Sequence, residues 1–400
     1  MTTAGERCCV IAGIGQSQIG RRIGRSALDL TADACLQAIA DAELTPDMID
    51  GLVGWPGAIA GREAFSGPST MDVQDALGLQ LSWRQAGPEG PAQMGAVAIA
   101  CAAIATGFAR HVLCYRTVTE ASGQGSHGRA AMNNSSRAQG ASARLGHFYP
   151  YGGVSPAHLI ALYAQRHFHE FGTSREHLAM VVLTQRENAG LNPTAIYRDP
   201  LTRDDYMTSR MITTPFCLYD CDVPADGSTA LVISNEDAAP HSTNPKVHVN
   251  AIGTALKGRP SFDQWNDMTT WGAVDAASHM WSRTALTPKD VDIAQLYDGF
   301  SFSVLVWLEA LGFCPRGRSG DFLASGSIRR DGCLPVNTGG GQLSAGRLHG
   351  FGHLYEAVMQ LRGHAEKRQV TPHDVAVVSM GAGPAAGCIL LTTSAADDYR

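Results

Sequence analysis

The chain has 400 residues, enough for two large domains with substantial cores, and its 31 Lys plus Arg against 37 Asp plus Glu leave a net charge of -6. That balance offers no basic footprint for nucleic acid. The longest nearly uncharged apolar run, Gly95 to Ala109, is broken by small residues and falls short of the ~20 that span a bilayer, so no membrane partner is expected.

Met1 to Arg7 lacks the cationic-then-apolar order of an export signal, which makes the cytoplasm the expected location. Strand Val10 to Ile14 opens the first half. An Ala-rich helix follows over Ser26 to Ala42, with Leu28, Ala32, Cys35, Leu36 and Ile39 on one face and a capping box available to Ser26 and Asp29. Leu44-Thr45-Pro46-Asp47-Met48-Ile49-Asp50 then starts a short helical turn, Thr45 serving as N-cap and Pro46 occupying the first position, where a missing N–H costs nothing. Strand Gly51 to Trp55 comes next. The Gly-rich stretch Gly87-Pro88-Glu89-Gly90-Pro91 leads into a small-residue helix, Gln93 to Thr106, and on to strand His111 to Tyr115.

Between about Thr117 and Thr213 the character changes: Gly, Ser and Asn dominate Ser122 to Ser142, an amphipathic helix runs from Pro156 to Phe171, and another starts after Ser174. This reads as a structured excursion of the kind that builds binding sites on a rigid frame. Asp226-Gly227-Ser228-Thr229 precedes strand Ala230 to Ser234, and a polar connector, Asn235 to Lys246, reaches the second half at Val247. A helix over Thr270 to Thr284 is followed by Leu286-Thr287-Pro288-Lys289-Asp290-Val291-Asp292, a near copy of the Leu44 to Asp50 segment, and by strand Ile293 to Tyr297. His373 to Ser379, a Gly-rich turn and strand Cys388 to Thr392 close the chain. Helix, turn and strand thus occur twice in one order, which argues for a duplicated α/β layered fold, with halves at 1–245 and 246–400 and the excursion at about 117–213. The ten cysteines (8, 9, 35, 101, 114, 217, 221, 314, 333 and 388) lie mostly among apolar neighbours and read as reduced core residues. Cys217-Leu-Tyr-Asp-Cys221 has no second pair and His167-Phe-His169 no third ligand, so no bound metal is expected.

The two similar halves, Leu296-Tyr297-Asp298-Gly299-Phe300, Asn337-Thr338-Gly339-Gly340-Gly341 running into Gly346-Arg347-Leu348-His349-Gly350, and the terminal Gly381-Ala382-Gly383 together resemble the thiolase superfamily, in its branch of sterol-carrier-protein-type thiolases and lipid-transfer proteins. The resemblance implies a five-layered α-β-α-β-α fold with two central helices between the sheets, a homodimer, and acyl-coenzyme A chemistry in which coenzyme A is part of the substrate rather than a separate cofactor. Three departures carry the function. The nucleophilic cysteine at the start of the central helix, where a helix's positive end lowers a thiol pKa, falls here on Gly90 or Pro91. The general-base histidine slot holds Arg347, a guanidinium that stays protonated, and the terminal Cys-x-Gly is replaced by Ser379-Met380-Gly381-Ala382-Gly383.

What survives is machinery for stabilising an enolate: amides of Gly381 to Gly383 and the side chain at position 297. Tyrosine at that position, where ordinary relatives have asparagine or histidine, is similar to the steroid side-chain aldolases. These cleave a 17-hydroxy-steroid acyl-CoA to a 17-keto steroid and a short acyl-CoA: a base takes the hydroxyl proton, the carbon–carbon bond breaks, and an acid protonates the enolate. Tyr297 is the first candidate for a proton-transfer role, and Arg347 is placed to favour its tyrosinate or to bind enolate charge. The aldolases resembled carry a second tyrosine at the Arg347 slot, so this chain departs from them there. His349 has the intrinsic pKa of a base, with His353 and Tyr355 in reserve, and Gly340 and Gly341 are candidates for close approach to substrate. Beside these stand plainer readings: a core tyrosine at 297, an ion-paired Arg347, a structural His349, capping by Asp298 and Glu356, and packing by the aromatic runs Phe300 to Trp307 and Phe148 to Tyr151. A retro-aldol lyase is the leading function. A non-catalytic acyl-CoA-binding subunit, or a thiolase using a repositioned cysteine such as Cys101, is the alternative. The resemblance also implies a separately encoded small partner with a zinc ribbon and an OB-fold.

Overall fold

The computed structural model describes residues 5–59, 62–86, 92–124, 146–153, 155–240, 243–256, 267–381 and 383–395. Its strands are β1 (Cys9–Gln16), β2 (Gly51–Gly54), β3 (Trp83–Ala86), β4 (His111–Thr119), β5 (Met211–Thr213), β6 (Phe216–Cys217), β7 (Asp226–Asn235), β8 (Val247–Leu256), β9 (Ile293–Gln295), β10 (Val375–Met380) and β11 (Ala385–Thr392). The longer helices are α1 (Ala27–Asp41), α2 (Met94–Ala105), α3 (Pro156–Phe171), α4 (Arg175–Gly190), α5 (Ala273–Trp281), α6 (Ser301–Ala310) and α7 (Phe351–Leu361).

The duplication is visible in the pairing. β2 runs parallel to β4, which is antiparallel to β7, which is antiparallel to β1. In the second half β9, β10, β11 and β8 repeat that pattern in the same sense. The two half-sheets are joined edge to edge where β1 meets β8, through Val10 with His248 and Ile11 with Val247, so the strands form one sheet of order β3-β2-β4-β7-β1-β8-β11-β10-β9. That junction is the one departure from a pair of separate sheets.

Strand residues alternate between faces, and the alternation sorts them into layers. Leu113, Ala230 and Val232 pack outward against Ala34, Cys35 and Ile39 of α1. Val112, Cys114, Leu231 and Ile233 face inward, where Val97, Ala100 and Ile104 of α2 and Phe351, Leu354 and Val358 of α7 share one core with Val378, Ile389 and Leu391 of the second half. Val377, Cys388 and Leu390 point the other way, to Ala276, Ala277 and Met280 of α5. Helix, sheet, two central helices, sheet and helix are the five layers of a thiolase-like fold.

The repeated heptad has a structural purpose that its composition did not reveal. Asp50 accepts the N–H groups of Arg110 and His111 at 2.9 Å each and so fixes the start of β4; Asp292 accepts those of Asp374 and Val375 at 2.8 and 2.9 Å and fixes the start of β10. The turns differ at their caps. Thr287 closes a capping box with Asp290, whereas Thr45 makes no side-chain cap, and Met48 stands where the returning carboxylate of a box would be. β4 and β7 pair from His111 with Ser234 to Thr119 with Asp226, so both strands extend through polar residues that an apolar run does not reveal, Asp226 to Thr229 among them. The excursion between them therefore runs from beyond Thr119 to Asp226 and contains α3, α4 and the β5–β6 ribbon. Its buried face joins α6, with Leu178, Val181 and Val182 against Leu305 and Leu308. The apolar run from Phe300 is a packing helix. Among the described residues, no helix is long and apolar enough to cross a membrane.

Candidate active site

Tyr297 lies two residues beyond β9, where its N–H donates to the Ser379 hydroxyl of β10 at 2.9 Å. Gly299 lets the ring lie against the turn: a Cβ there would stand 2.9 Å from the Tyr297 ring. The phenol faces a cavity of about 1670 Å³, larger than the ~300–1,000 Å³ of an ordinary small-ligand pocket. Gly381, at φ +87°, forms part of the wall, and its carbonyl accepts the Trp307 indole N–H at 3.1 Å. A Cβ on Gly381 would stand 2.7 Å from that of Ala92, so this turn abuts the chain entering α2, and Ala92 and Gln93 line the cavity. The N-terminus of the central helix is therefore the floor of the site.

Beside Tyr297 is a buried ion-pair cluster. Arg347 donates through Nη1 to both Glu120 oxygens, at 2.6 and 2.8 Å, and its Nε lies 2.8 Å from Asp222 Oδ2. The loop carrying Asp222 is stitched on both sides: Asp222 N–H donates to Gly299 O, Val223 N–H to Gln342 O, and Arg347 N–H to Val223 O. Burial opposes the Arg347 charge, but Asp222 and Glu120 outweigh it and hold the guanidinium protonated more firmly than usual. Burial raises the Tyr297 phenol above its ordinary value; Arg347 opposes that rise, and Asp222 and Asp298 reinforce it. Tyr297 therefore carries its proton at neutral pH. The expectation that Arg347 favours tyrosinate is corrected here, because two carboxylates take up the charge and desolvation wins.

Arg116 is wholly buried behind Glu120. It donates to the Phe65 and Thr117 carbonyls at 2.5 and 2.7 Å and to His349 Nδ1 at 3.1 Å, its guanidinium lies over the Trp55 and Phe65 rings, and burial lowers it to about 9. His349 sits in this second tier. Its ring is edge-on to Phe65, it is absent from the cavity wall, and burial together with Arg347 and Arg116 holds its pKa well below 6.5. The expectation of His349 as the base meets a neutral, enclosed imidazole.

The remaining candidates lie elsewhere. Gly340 and Gly341 adopt φ +99° and +58° to pass α4 and Asp298: a Cβ would stand 2.5 Å from Ala189 Cβ in the first and 2.1 Å from Asp298 Oδ2 in the second. They let the loop wrap the Asp298 carboxylate, which accepts from Gln342 and Leu343 N–H and from His353 Nε2, and they do not line the large cavity. Glu356 is likewise structural, pairing with Arg368 at 3.0 Å. Tyr355, on α7, borders a separate space of about 50 Å³. Gly383 turns its carbonyl to the Gly272 N–H at 3.0 Å; Ala382 and the slot at Gly90 and Pro91 lie outside the described residues. Of the residues singled out from sequence, the structure brings together Tyr297, Arg347 and Gly381. It adds Glu120, Asp222, Trp55 and Phe65, which no motif announced. One signal was available for Asp222: Leu218-Tyr219-Asp220 repeats Leu296-Tyr297-Asp298, and the two segments bridge just beyond, at Cys221, one residue after the first, and Phe300, two after the second.

Cys101 is 2 % exposed and belongs to the central core. Cys221 does line the cavity, on a loop at the C-terminal end of a short turn rather than at a helix N-terminus. Arg21, Arg62 and Arg210, all exposed, line the cavity together with the buried Arg186, Arg21 donating to the Tyr197 hydroxyl and Arg186 lying over the Tyr197 and Tyr219 rings.

A duplicated five-layer frame, with a phenol and charged groups gathered where its central helix begins, defines a thiolase-like enzyme. Residues 254–391 match the thiolase C-terminal domain-like family. The chain is 35% identical to a steroid side-chain-cleaving aldolase of Thermomonospora curvata, over 95% of this chain and 97% of that protein. It is 33% identical to the 17-hydroxy-3-oxo-4-pregnene-20-carboxyl-CoA lyase of Mycobacterium tuberculosis, over 95% and 98%. Among solved structures, the Ltp2–ChsH2(DUF35) aldolase superposes with a TM-score of 0.87 at 32% identity, covering 99% of this chain and 100% of that one. The chain belongs to the thiolase superfamily, in its branch of steroid side-chain-cleaving aldolases.

Proposed function

We propose that the protein is a retro-aldol carbon–carbon lyase. It cleaves the side chain of a β-hydroxyacyl-CoA, of the 17-hydroxy-steroid class, to a ketone and a short acyl-CoA with no covalent cysteine intermediate. The observation that carries the reading is Tyr297: a buried phenol that keeps its proton, in a cavity wall beside the N-terminus of the central helix. When the bond to the α-carbon breaks, its electron pair spreads onto the thioester oxygen, and Tyr297 donates the proton that the α-carbon requires. Trp55 and Phe65 offer an apolar face to a fused-ring system, and the exposed lining arginines, Arg21, Arg62 and Arg210, suit the phosphates of coenzyme A. The volume of about 1670 Å³ accommodates both parts.

The chain divides at 1–245 and 246–400, with the excursion between β4 and β7 contributing to the site, and acts as a homodimer in the cytoplasm. A separate small protein with a zinc ribbon and an OB-fold completes the enzyme; support comes from the solved Ltp2–ChsH2(DUF35) aldolase, whose name couples a second component to the first. A second reading, acyl transfer through Cys221, has one observation in its favour, the thiol at the wall. Incubation with a panel of 17-hydroxy-steroid acyl-CoA esters, with and without the partner, separates the two. Equal amounts of ketone and short acyl-CoA are expected, and failure to form either product across the panel removes the lyase.

A further inference from the structure

We propose that Asp222 is the base that takes the substrate's hydroxyl proton, held in position by Arg347; the assignment rests on the lyase reading above. Cleavage needs two protonic groups on one substrate, an acceptor at the β-hydroxyl and a donor at the α-carbon, which are adjacent carbons. The two groups must therefore be near neighbours in the wall. Tyr297 is the donor. The acidic side chains that face the cavity next to it are Asp222 and Glu120.

Geometry separates them. Both Glu120 oxygens take the same Arg347 nitrogen, and the carboxylate backs onto His349 Nε2 at 3.8 Å in the tier containing Arg116. Asp222 Oδ2 lies 2.8 Å from Arg347 Nε, and its backbone N–H is bonded to Gly299, two residues past Tyr297. Three backbone hydrogen bonds hold residues 222 and 223 between the Tyr297 turn and the Arg347 loop, so the carboxylate is fixed on rigid chain rather than on a free loop. Arg347 accordingly positions the carboxylate that carries the basic duty.

The balance closes without oxidant or reductant. The hydroxyl proton passes to Asp222, the O–H pair becomes the second bond of the ketone, and the carbon–carbon pair moves to the α-carbon and its thioester oxygen. The Tyr297 phenol then protonates the α-carbon. That leaves a carboxylic acid at 222 and a phenolate at 297; the phenolate faces the Arg347 charge until the proton returns from Asp222, and the resting state is restored.

The experiment compares Asp222→Asn, Asp222→Ala and Glu120→Gln with the wild type in the complete enzyme, partner included. Asp222→Asn is expected to lower kcat by ~10²- to 10⁴-fold while KM moves by less than about threefold. Formate added to Asp222→Ala is expected to restore at least about tenfold of the lost rate, a gain that a merely structural carboxylate does not give. Asp222→Asn with more than a third of wild-type kcat, Asp222→Ala unmoved by formate, or a larger kcat loss in Glu120→Gln each overturns the assignment. A wild type that cleaves no 17-hydroxy acyl-CoA fails at the earlier step and removes the lyase itself; a wild type that cleaves beside an active Asp222→Asn removes only this inference.

Discussion

Tyr297→Phe removes one oxygen from the cavity wall and leaves the ring, its contact with Gly299 and the backbone bond to Ser379 in place. Stability should therefore change by no more than the ~1 kcal/mol of one hydrogen bond. Catalysis should change far more. A positioned proton donor contributes ~10²- to 10⁴-fold, or ~2.7–5.5 kcal/mol of barrier at ~1.36 kcal/mol per tenfold, so kcat for ketone release at pH 7 should fall at least 100-fold. The direction of the pKa shift adds a second reading. Burial raises the phenol, so the donor form persists at every pH below the ordinary tyrosine value of ~10, and no alkaline limb should appear between pH 7 and 9. Retention of more than a third of wild-type kcat by Tyr297→Phe, or a wild-type rate that climbs with pH as tyrosinate forms, would refute the reasoning.

Removing Arg347 leaves two buried carboxylates without their cation, and Arg347→Ala should lose ~3–5 kcal/mol in chemical denaturation. Adding Glu120→Gln and Asp222→Asn to it should recover part of that loss. His349 is held well below 6.5, so the unfolded chain takes up a proton that the folded chain refuses: its contribution is full above pH ~6.5 and declines below it. Denaturation midpoints between pH 7 and 5 should consequently fall more steeply for wild type than for His349→Phe. Gly341→Ala drives a Cβ to 2.1 Å from Asp298 Oδ2 at φ +58°, and should cost at least ~2 kcal/mol. Gly78→Ala, at φ +65° with open space around it, should cost only ~1 kcal/mol. Cys221→Ser should keep most of the cleavage activity, measured as ketone release; its loss would favour acyl transfer.

The layered frame was legible because hydrophobic patterning writes it. Continuous apolar runs mark β4 and β7, which are buried on both faces, helical spacing marks α1 and α3, and the copied Leu-Thr-Pro heptad exposes the duplication. Strand ends were not legible, since Arg116, Thr117 and Asp226 to Thr229 are polar residues buried by pairing and side-chain hydrogen bonds rather than by hydrophobicity. The same limit explains the site. Tyr297, Arg347 and Gly381 stood inside recognisable motifs, but Glu120 and Asp222 reach them from chain segments far apart in sequence, and only the fold reveals that Arg347 is shared between them. Gly340 and Gly341 were read as positions of close approach to substrate; their near neighbours in the structure are Ala189 of α4 and Asp298.

The central claim is bond cleavage at a phenol without thiol attack. It is tested most directly by quenching the enzyme in acid during turnover of a 17-hydroxy-steroid acyl-CoA, then weighing the intact protein while quantifying both products. Ketone and short acyl-CoA in equal amounts, with the protein mass unchanged, are predicted. A protein heavier by one acyl group, with the label mapping to Cys221 or Cys101, would contradict the account.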